Sequence, residues 1–271
     1  VKSQLATKLI LVFGIIVSSG LVLAQGEAAL EPDAIIQKIL DVEARQRTEI
    51  HDVVFDAEYI ERESNGKGGY NEKMKLEKKI RMKYLPDTTW YCEEYLRYYK
   101  NGEVCSNEER DEIAAERQDK KKQRGSRDVS YRILKPFYPE SRPEYKISYE
   151  GIDDSSKTGY VSYHFKVISV TENEDNINGD YFFDAASFQL IKVNFAPAKL
   201  NGNFLFKLNE LNMSMSFGPN SDGQWLPQQF DINGKGKAAF FIDVDWSGTE
   251  YFHNPQINTG ISDSLFKAVQ E

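Results

Sequence analysis

LNMSMSFGPNSDGQWLPQQFDINGKG, residues 211–236, alternates apolar and polar side chains, breaks, and alternates again. Leu211, Met213, Met215 and Phe217 share one parity, with Asn and Ser between them. A period of two with small polar residues on the other parity marks a strand buried on one face. Gly218 to Gly223 reads as a turn, and Trp225-Leu226-Pro227 leads into Phe230 and Ile232. Asn233-Gly234-Lys235-Gly236 predicts a hairpin into Phe240, Ile242, Val244 and Trp246.

The same period extends outward in both directions. Towards the N-terminus it takes in Phe204, Phe206 and Leu208, then Ile191, Val193 and Phe195, then Tyr181-Phe182-Phe183, then Val161, Tyr163, Phe165 and Val167. Further back, Phe55, Ala57 and Tyr59 alternate, a turn falls at residues 65–69, and Met74, Leu76, Ile80, Met82 and Tyr84 share a parity. Pro86-Asp87 breaks the run, and Trp90, Cys92, Leu96 and Tyr98 continue on one face to the Asn101-Gly102 turn. Strand never alternates regularly with helix, which argues against a parallel βαβ sheet. The expected fold is mainly β (α+β): a curled antiparallel sheet of about ten or eleven strands, forming an unclosed half-barrel. Helices are expected to cover its concave face. Ile35, Ile36, Ile39, Leu40 and Val42 give one such helix over about residues 32–47, and Ser262-Asp263 caps a short last one.

Two segments depart from this pattern. Residues 1–24 begin with Lys2 and Lys8, continue as an uncharged run from Leu9 to Ala24, and end in Val22-Leu23-Ala24. The run is shorter than the roughly 20 residues that span a bilayer, so a cleaved signal peptide over 1–24 is expected, with one domain over 25–271 in the periplasm. No cysteine follows the run, no lipid anchor is expected there, and no further stretch is apolar enough to span a membrane. Residues 107–127 hold thirteen charged side chains, acidic first and basic last. They read as a solvated helix or mobile insertion, or alternatively as a protein-docking arm. Beyond them Phe137 and Tyr138 look exposed.

The chain carries a net charge of −8, and loss of Lys2 and Lys8 would make it more negative. An acidic surface repels phosphates, so no nucleic-acid partner is expected. His51, His164 and His253 stand far apart, no metal-spaced pair or nucleophile elbow occurs, and no enzyme, metal or cofactor is expected. His164 falls on the polar parity of its strand and reads as solvated or hydrogen-bonded. Cys92 and Cys105 form a possible disulfide, although a tight turn at Asn101-Gly102 puts Tyr98, not Cys92, opposite Cys105.

Phe, Tyr and Trp make up 13% of the chain, enough to line a hollow as well as fill a core. If the curled sheet leaves an apolar cavity, the strand parities and the first helix nominate Ile36, Ile39, Leu40, Phe55, Tyr59, Met82, Tyr163, Phe165, Phe183, Phe206, Met213, Met215 and Trp225 as its lining. Methionines suit flexible chains, and lipid acyl chains are the natural cargo.

The hairpin Gly179-Asp180-Tyr181-Phe182-Phe183-Asp184-Ala185-Ala186-Ser187-Phe188-Gln189-Leu190-Ile191-Lys192 resembles that of the periplasmic outer-membrane lipoprotein-sorting family, as does the opening V-x-F-D-A-x-Y at residues 53–59. The resemblance implies an unclosed barrel with helices in its mouth and a cavity that carries lipid or lipoprotein acyl chains. Arg62 and Arg81 lie in the region of that family's cargo-handling arginine, and neither matches it residue by residue. The same resemblance extends to envelope stress sensors, so the alternative is a non-enzymatic interaction or sensor module with an envelope protein partner.

Overall fold

Alternation like that of residues 211–217 builds nearly all of the molecule. The computed structural model describes residues 30–85, 89–124, 133–200, 206–238 and 242–266. The expected signal peptide, Phe204, Phe240 and the Pro86-Asp87 break lie outside them. By contacts the chain divides into residues 1–35 and residues 36–271. Of the first unit, Leu30 to Ile35 are described, with the opening turn of a helix closed by Ile35 N–H donating to Glu31 O at 3.1 Å.

The second unit is one sheet of eleven strands: β1 (Asp52–Ser64), β2 (Tyr70–Tyr84), β3 (Thr89–Lys100), β4 (Glu103–Val104), β5 (Tyr145–Asp154), β6 (Val161–Ser169), β7 (Ile177–Asp184), β8 (Leu190–Pro197), β9 (Phe206–Pro219), β10 (Trp225–Ala238) and β11 (Ile242–Ile257). Their order is β4-β3-β2-β1-β11-β10-β9-β8-β7-β6-β5, with every ladder antiparallel. Among the described residues no ladder joins β4 to β5, so the sheet is an open half-barrel with two edges. The chain winds away from β1 in short hairpins, crosses over, and winds back until β11 closes on β1. First and last strands therefore meet mid-sheet.

Two α-helices accompany it, α1 (Pro32–Glu49) and α2 (Asn107–Arg124). α1 buries Ile36 and Ile39, at 3% and 2% exposure, and Gln46 Nε2 donates to Trp225 O at 2.6 Å. α2 opens on a capping box, in which Ser106 Oγ accepts from Glu109 N–H at 3.2 Å and Ser106 N–H donates to Glu109 Oε2 at 3.0 Å. The charged stretch is thus an ordered helix. Most of its described side chains are solvated, while its Arg117 reaches back onto the sheet and lies 5.0 Å from the Tyr59 ring.

Register defines an inner face. One row runs Tyr149, Phe165, Tyr181, Val193, Met215, Phe230, Glu250, Tyr59, Leu76, Tyr98 across ten strands. The next runs Val167, Gly179, Phe195, Met213, Ile232, Gly248, Glu61, Met74, Lys100. On β6 and β7 this face is plugged by Phe137, which is 1% exposed and sits edge-on to Phe165, Tyr181 and Phe183 at centroid distances of 5.9, 5.0 and 5.4 Å. Phe137 does not lie in the open as expected: two 3-10 turns at Lys135–Phe137 and Arg142–Glu144 fold the proline-rich stretch inward.

Two more sequence expectations change. The hairpin placed at Asn233–Gly236 is continuous β10, paired with β11 through Gly234↔Trp246 and Gly236↔Val244. Gly234 is there for space: a Cβ would come within 2.6 Å of the Trp246 ring that lies over it. On β3 the inner parity is Tyr91, Glu93, Tyr95 and then Tyr98, because a bulge opposite Glu77/Lys78 shifts the phase. Cys92 therefore lies opposite Arg81, six residues along β3 from Tyr98, whose O accepts from Cys105 N–H at 2.9 Å. Six strand residues are about 20 Å, far beyond disulfide reach. Both cysteines are free.

The end of β11 is clasped to the start of β1 by Asp52, 4% exposed, which accepts from Thr259 N–H and Oγ1–H at 2.7 and 2.8 Å and from Gly260 and Ile261 N–H at 3.0 and 3.3 Å. Burial alone would raise its pKa, but the bonds from Thr259, Gly260 and Ile261 outweigh it and hold the carboxyl below 3.8. A depressed folded pKa gives stability that is present above the unfolded pKa and lost as pH falls through the folded one. Asp52→Asn is expected to cost about 1–3 kcal/mol at pH 7, because an amide N–H replaces an acceptor. In urea titrations the difference from the parent chain should hold down to pH 3.8 and shrink only as the pH falls further and the carboxyl protonates; a constant difference would exclude the carboxylate as its source.

Candidate functional site

The inner face is chemically divided. On β2 the apolar parity Met74, Leu76, Ile80 is interrupted by Lys78, which is 4% exposed. Its Nζ lies 2.5 Å from both Glu93 Oε1 on β3 and Glu250 Oε1 on β11. Tyr91 Oη donates to Glu93 Oε1 at 2.6 Å and Tyr95 Oη to Glu93 Oε2 at 3.0 Å. Glu250 Oε1 meets the ammonium without hydrogen-bond alignment and has no other partner among the described residues. Burial opposes the Lys78 charge, but Glu250 and Glu93 overcome it and hold the ammonium above the ordinary lysine range. Burial and the Glu93 charge likewise push the Tyr91 and Tyr95 phenols up, so both remain donors.

Beside this cluster α2 roofs a half-open cavity of about 450 Å³. Glu61, Glu63 and Glu116 face Lys73, Lys100 and Arg117 in it, over Met74, Tyr98 and Ile113. Arg117 Nη2 lies 3.6 Å from Glu61 and donates to Met74 Sδ at 3.6 Å. Lys73 pairs with Glu63 at 3.4 Å. The Tyr59 hydroxyl crosses Gly248, where a Cβ would meet it at 2.6 Å.

Across β8–β11 the same face changes character. Phe195, Leu211, Met213, Met215, Phe230, Ile232 and Trp246 point to it, and every one is only half-buried, while Ser214 and Ser216 take the other side. This is an apolar strip between the Phe137 plug and the α2 cavity.

Among the curated proteins none matches the chain, and no family model does. Solved structures do. An outer membrane lipoprotein-sorting protein domain from Vibrio parahaemolyticus is 11% identical with a TM-score of 0.39, over 87% of this chain and 98% of that one. A DUF1329 family protein from Desulfovibrio piger is 11% identical with a TM-score of 0.42, over 88% and 97%. A LolA superfamily protein from Nitrosomonas europaea is 9% identical with a TM-score of 0.36, over 86% and 97%.

The residues nominated for a cavity lining separate into groups. Phe165 and Phe183 lie fully buried beneath Phe137, and Phe55 is fully buried against Phe252 at 5.4 Å with Met82 packed beside it. Ile36 and Ile39 are buried on α1, and Leu40 is half-buried. Tyr163 stacks on Phe188 at 5.6 Å, and Trp225 meets Tyr160 at 5.5 Å near the rim. Tyr59 belongs to the charged cluster. Met213 and Met215 stand in the half-buried strip, and the Phe206 side chain lies outside the described residues. His164 Nε2 bonds Asp180 Oδ1 at 2.8 Å and stacks on Phe182, away from both regions. Among the described residues no three His, Cys, Asp or Glu gather as a metal site would, and no helix is long and apolar enough to cross a membrane. The sequence reading missed Lys78, Glu93, Glu250 and Arg117. The available signal was Lys78 itself, a charge standing on the apolar parity of a long strand.

Proposed function

We propose that the chain is a non-enzymatic periplasmic carrier whose apolar strip on β8–β11 shelters the acyl part of a lipid or lipid-modified protein. The observation that carries this reading is the state of Met213 and Met215. Their neighbour Val193 is fully buried in the same register row, yet they and Phe195, Phe230 and Ile232 keep part of their surface exposed. Apolar area left on an inner face gains about 25 cal/mol per Å² when an acyl chain covers it. Two methionines give that surface the adaptability a flexible chain requires.

Delipidated protein is expected to bind a fluorescent fatty-acid probe saturably with micromolar affinity. Met213→Glu with Met215→Glu should weaken binding at least about tenfold, since each carboxylate would be desolvated under the chain. Titration of probe fluorescence measures both. Absence of saturable binding in the parent chain ends the reading. A second reading, an envelope-protein partner, is favoured by the exposed Ile152, Tyr160 and Val161 at the β5–β6 end, at 61%, 41% and 52% exposure. Cross-linking placed at Val161 that captures one defined protein, in a chain that binds no probe, would select it.

A further inference from the structure

The α2 cavity and the apolar strip are parts of one surface. Glu61 sits in register with Gly248, Ile232, Met213 and Phe195, and Glu63 with Trp246, Gly234 and Leu211. Strands lie about 4.8 Å apart, so Glu61 and Met213 are about 14 Å apart along a continuous face. One end of that face is apolar, and the other is an open space lined by both signs of charge. Such a surface matches an amphiphile laid along it.

The charges define the polar end of that amphiphile. Three carboxylates and three cations line the cavity, so it has no net preference for an anion or a cation. The pairs inside it are loose: Lys73–Glu63 at 3.4 Å and Arg117–Glu61 at 3.6 Å, against 2.5 Å for the buried Lys78 pairs and 2.6 Å for Arg81–Glu94. Lys100 makes no ion pair with any described residue. A ligand carrying one cation and one anion satisfies both kinds of group at once, whereas a singly charged head leaves one kind unmatched. A primary ammonium suits the acids better than a quaternary one, because the carboxylates accept N–H and Arg117 already occupies the Tyr59 ring face.

We propose that the α2 cavity binds the phosphoethanolamine head of a zwitterionic phospholipid, its ammonium on Glu61 and Glu63 and its phosphate on Lys100 and Lys73, with the acyl chains along the Met213 row. This rests on the carrier reading above and names the cargo's head. Displacement of the fluorescent fatty acid from the full chain tests it, with short-chain phosphatidylethanolamine, the matching phosphatidylglycerol and free phosphoethanolamine as competitors.

Phosphatidylethanolamine should displace the probe at about tenfold lower concentration than phosphatidylglycerol, the scale of one charge-assisted hydrogen bond. Glu63→Gln, at an exposed position, should narrow that ratio to within about threefold with the probe still bound saturably, whereas Lys100→Gln, which faces the phosphate both lipids carry, should weaken both lipids and leave the ratio within about twofold of the parent value. Equal displacement by the two lipids, with the probe still bound saturably, overturns the head-group assignment and leaves the carrier standing. Binding of free phosphoethanolamine, seen by calorimetry, as tight as that of the lipid would overturn it in favour of a small soluble zwitterion. Failure of every acyl ligand to bind removes the carrier and the head-group assignment together.

Discussion

Lys78→Met is expected to destabilise the fold by about 3–5 kcal/mol at pH 7, the cost of leaving a buried carboxylate without its counter-ion. The two carboxylates will not respond alike. Glu93 keeps the hydroxyls of Tyr91 and Tyr95 at 2.6 and 3.0 Å, whereas among the described residues Glu250 Oε1 has the Lys78 ammonium and no hydrogen-bond donor besides. In the variant, Glu250 is the carboxylate left buried without a counter-ion, a place that disfavours its charged form. A raised carboxylate pKa carries a penalty that is full at high pH and vanishes as pH falls through it. The variant should therefore regain stability between pH 7 and pH 5, while the parent chain changes little in that window. Glu250→Gln added to Lys78→Met should recover most of the loss and abolish the pH dependence. Urea titrations at the two pH values supply all of these numbers. A loss under about 1 kcal/mol without pH dependence would mean that water already solvates the cluster.

The cluster explains why one half of the inner face is polar. A buried ion triad contributes little net stability compared with well-packed apolar side chains, but it tolerates only one arrangement of its neighbours. Lys78 sits on β2 and its partners on β3 and β11, so the triad ties together strands from the two ends of the chain. A slip of one residue in β1 or β2 would put the ammonium on the solvent side and leave two carboxylates buried. The triad thus penalises misregister at the joint where β11 closes on β1. Asp52 does the same at the end of that joint, with four hydrogen bonds available only when Thr259 to Ile261 lie against it.

Much of this architecture was legible in the chain itself. The period of two gave the strands, and the lack of regular helices between them gave an antiparallel sheet of about the observed size. α1 was legible from Ile35, Ile36 and Ile39. The misreadings have definite causes. Asn233–Gly236 carries turn residues, but Gly234 serves the Trp246 ring, a contact made across strands and invisible in local sequence. The phase of β3 was lost at a bulge, and a two-residue period carries no memory across an inserted residue. Phe137 looked exposed because prolines surround it; the same prolines turn the chain back onto β6 and β7. Met213 and Met215 were nominated as a cavity lining and fall in the register rows of the inner face, but no parity rule distinguishes a wall with a neighbour from one without. Charged residues 107–127 gave a helix by composition, while the docking of Arg117 depended on Glu61 and Tyr59, over fifty residues away.

Phe137→Ala should be the most damaging apolar substitution, at about 3–5 kcal/mol, the range for emptying a buried aromatic site. Its ring meets Phe165, Tyr181 and Phe183 edge-on, and those rings belong to two hydrogen-bonded strands, β6 and β7, whose backbones cannot collapse into the gap. Tyr181 adds rigidity, since its hydroxyl donates to Ile133 O at 2.8 Å. The hole should therefore persist and stay dry, as apolar cavities of this kind do. Benzene or xenon should bind the variant and not the parent chain, and should raise the variant's melting temperature with concentration. A loss under about 1 kcal/mol would show that the turns at 135–144 can move and that Phe137 is a lid instead of a plug. The same variant separates the two candidate places for an acyl chain. If cargo lies on the Met213 and Met215 strip, the fatty-acid probe should bind Phe137→Ala within about twofold of the parent affinity, because the plug and the strip lie on different strands. If the affinity rises with the new cavity, the acyl chain reaches under β6 and β7, and the rings beneath Phe137 belong to the cargo site after all.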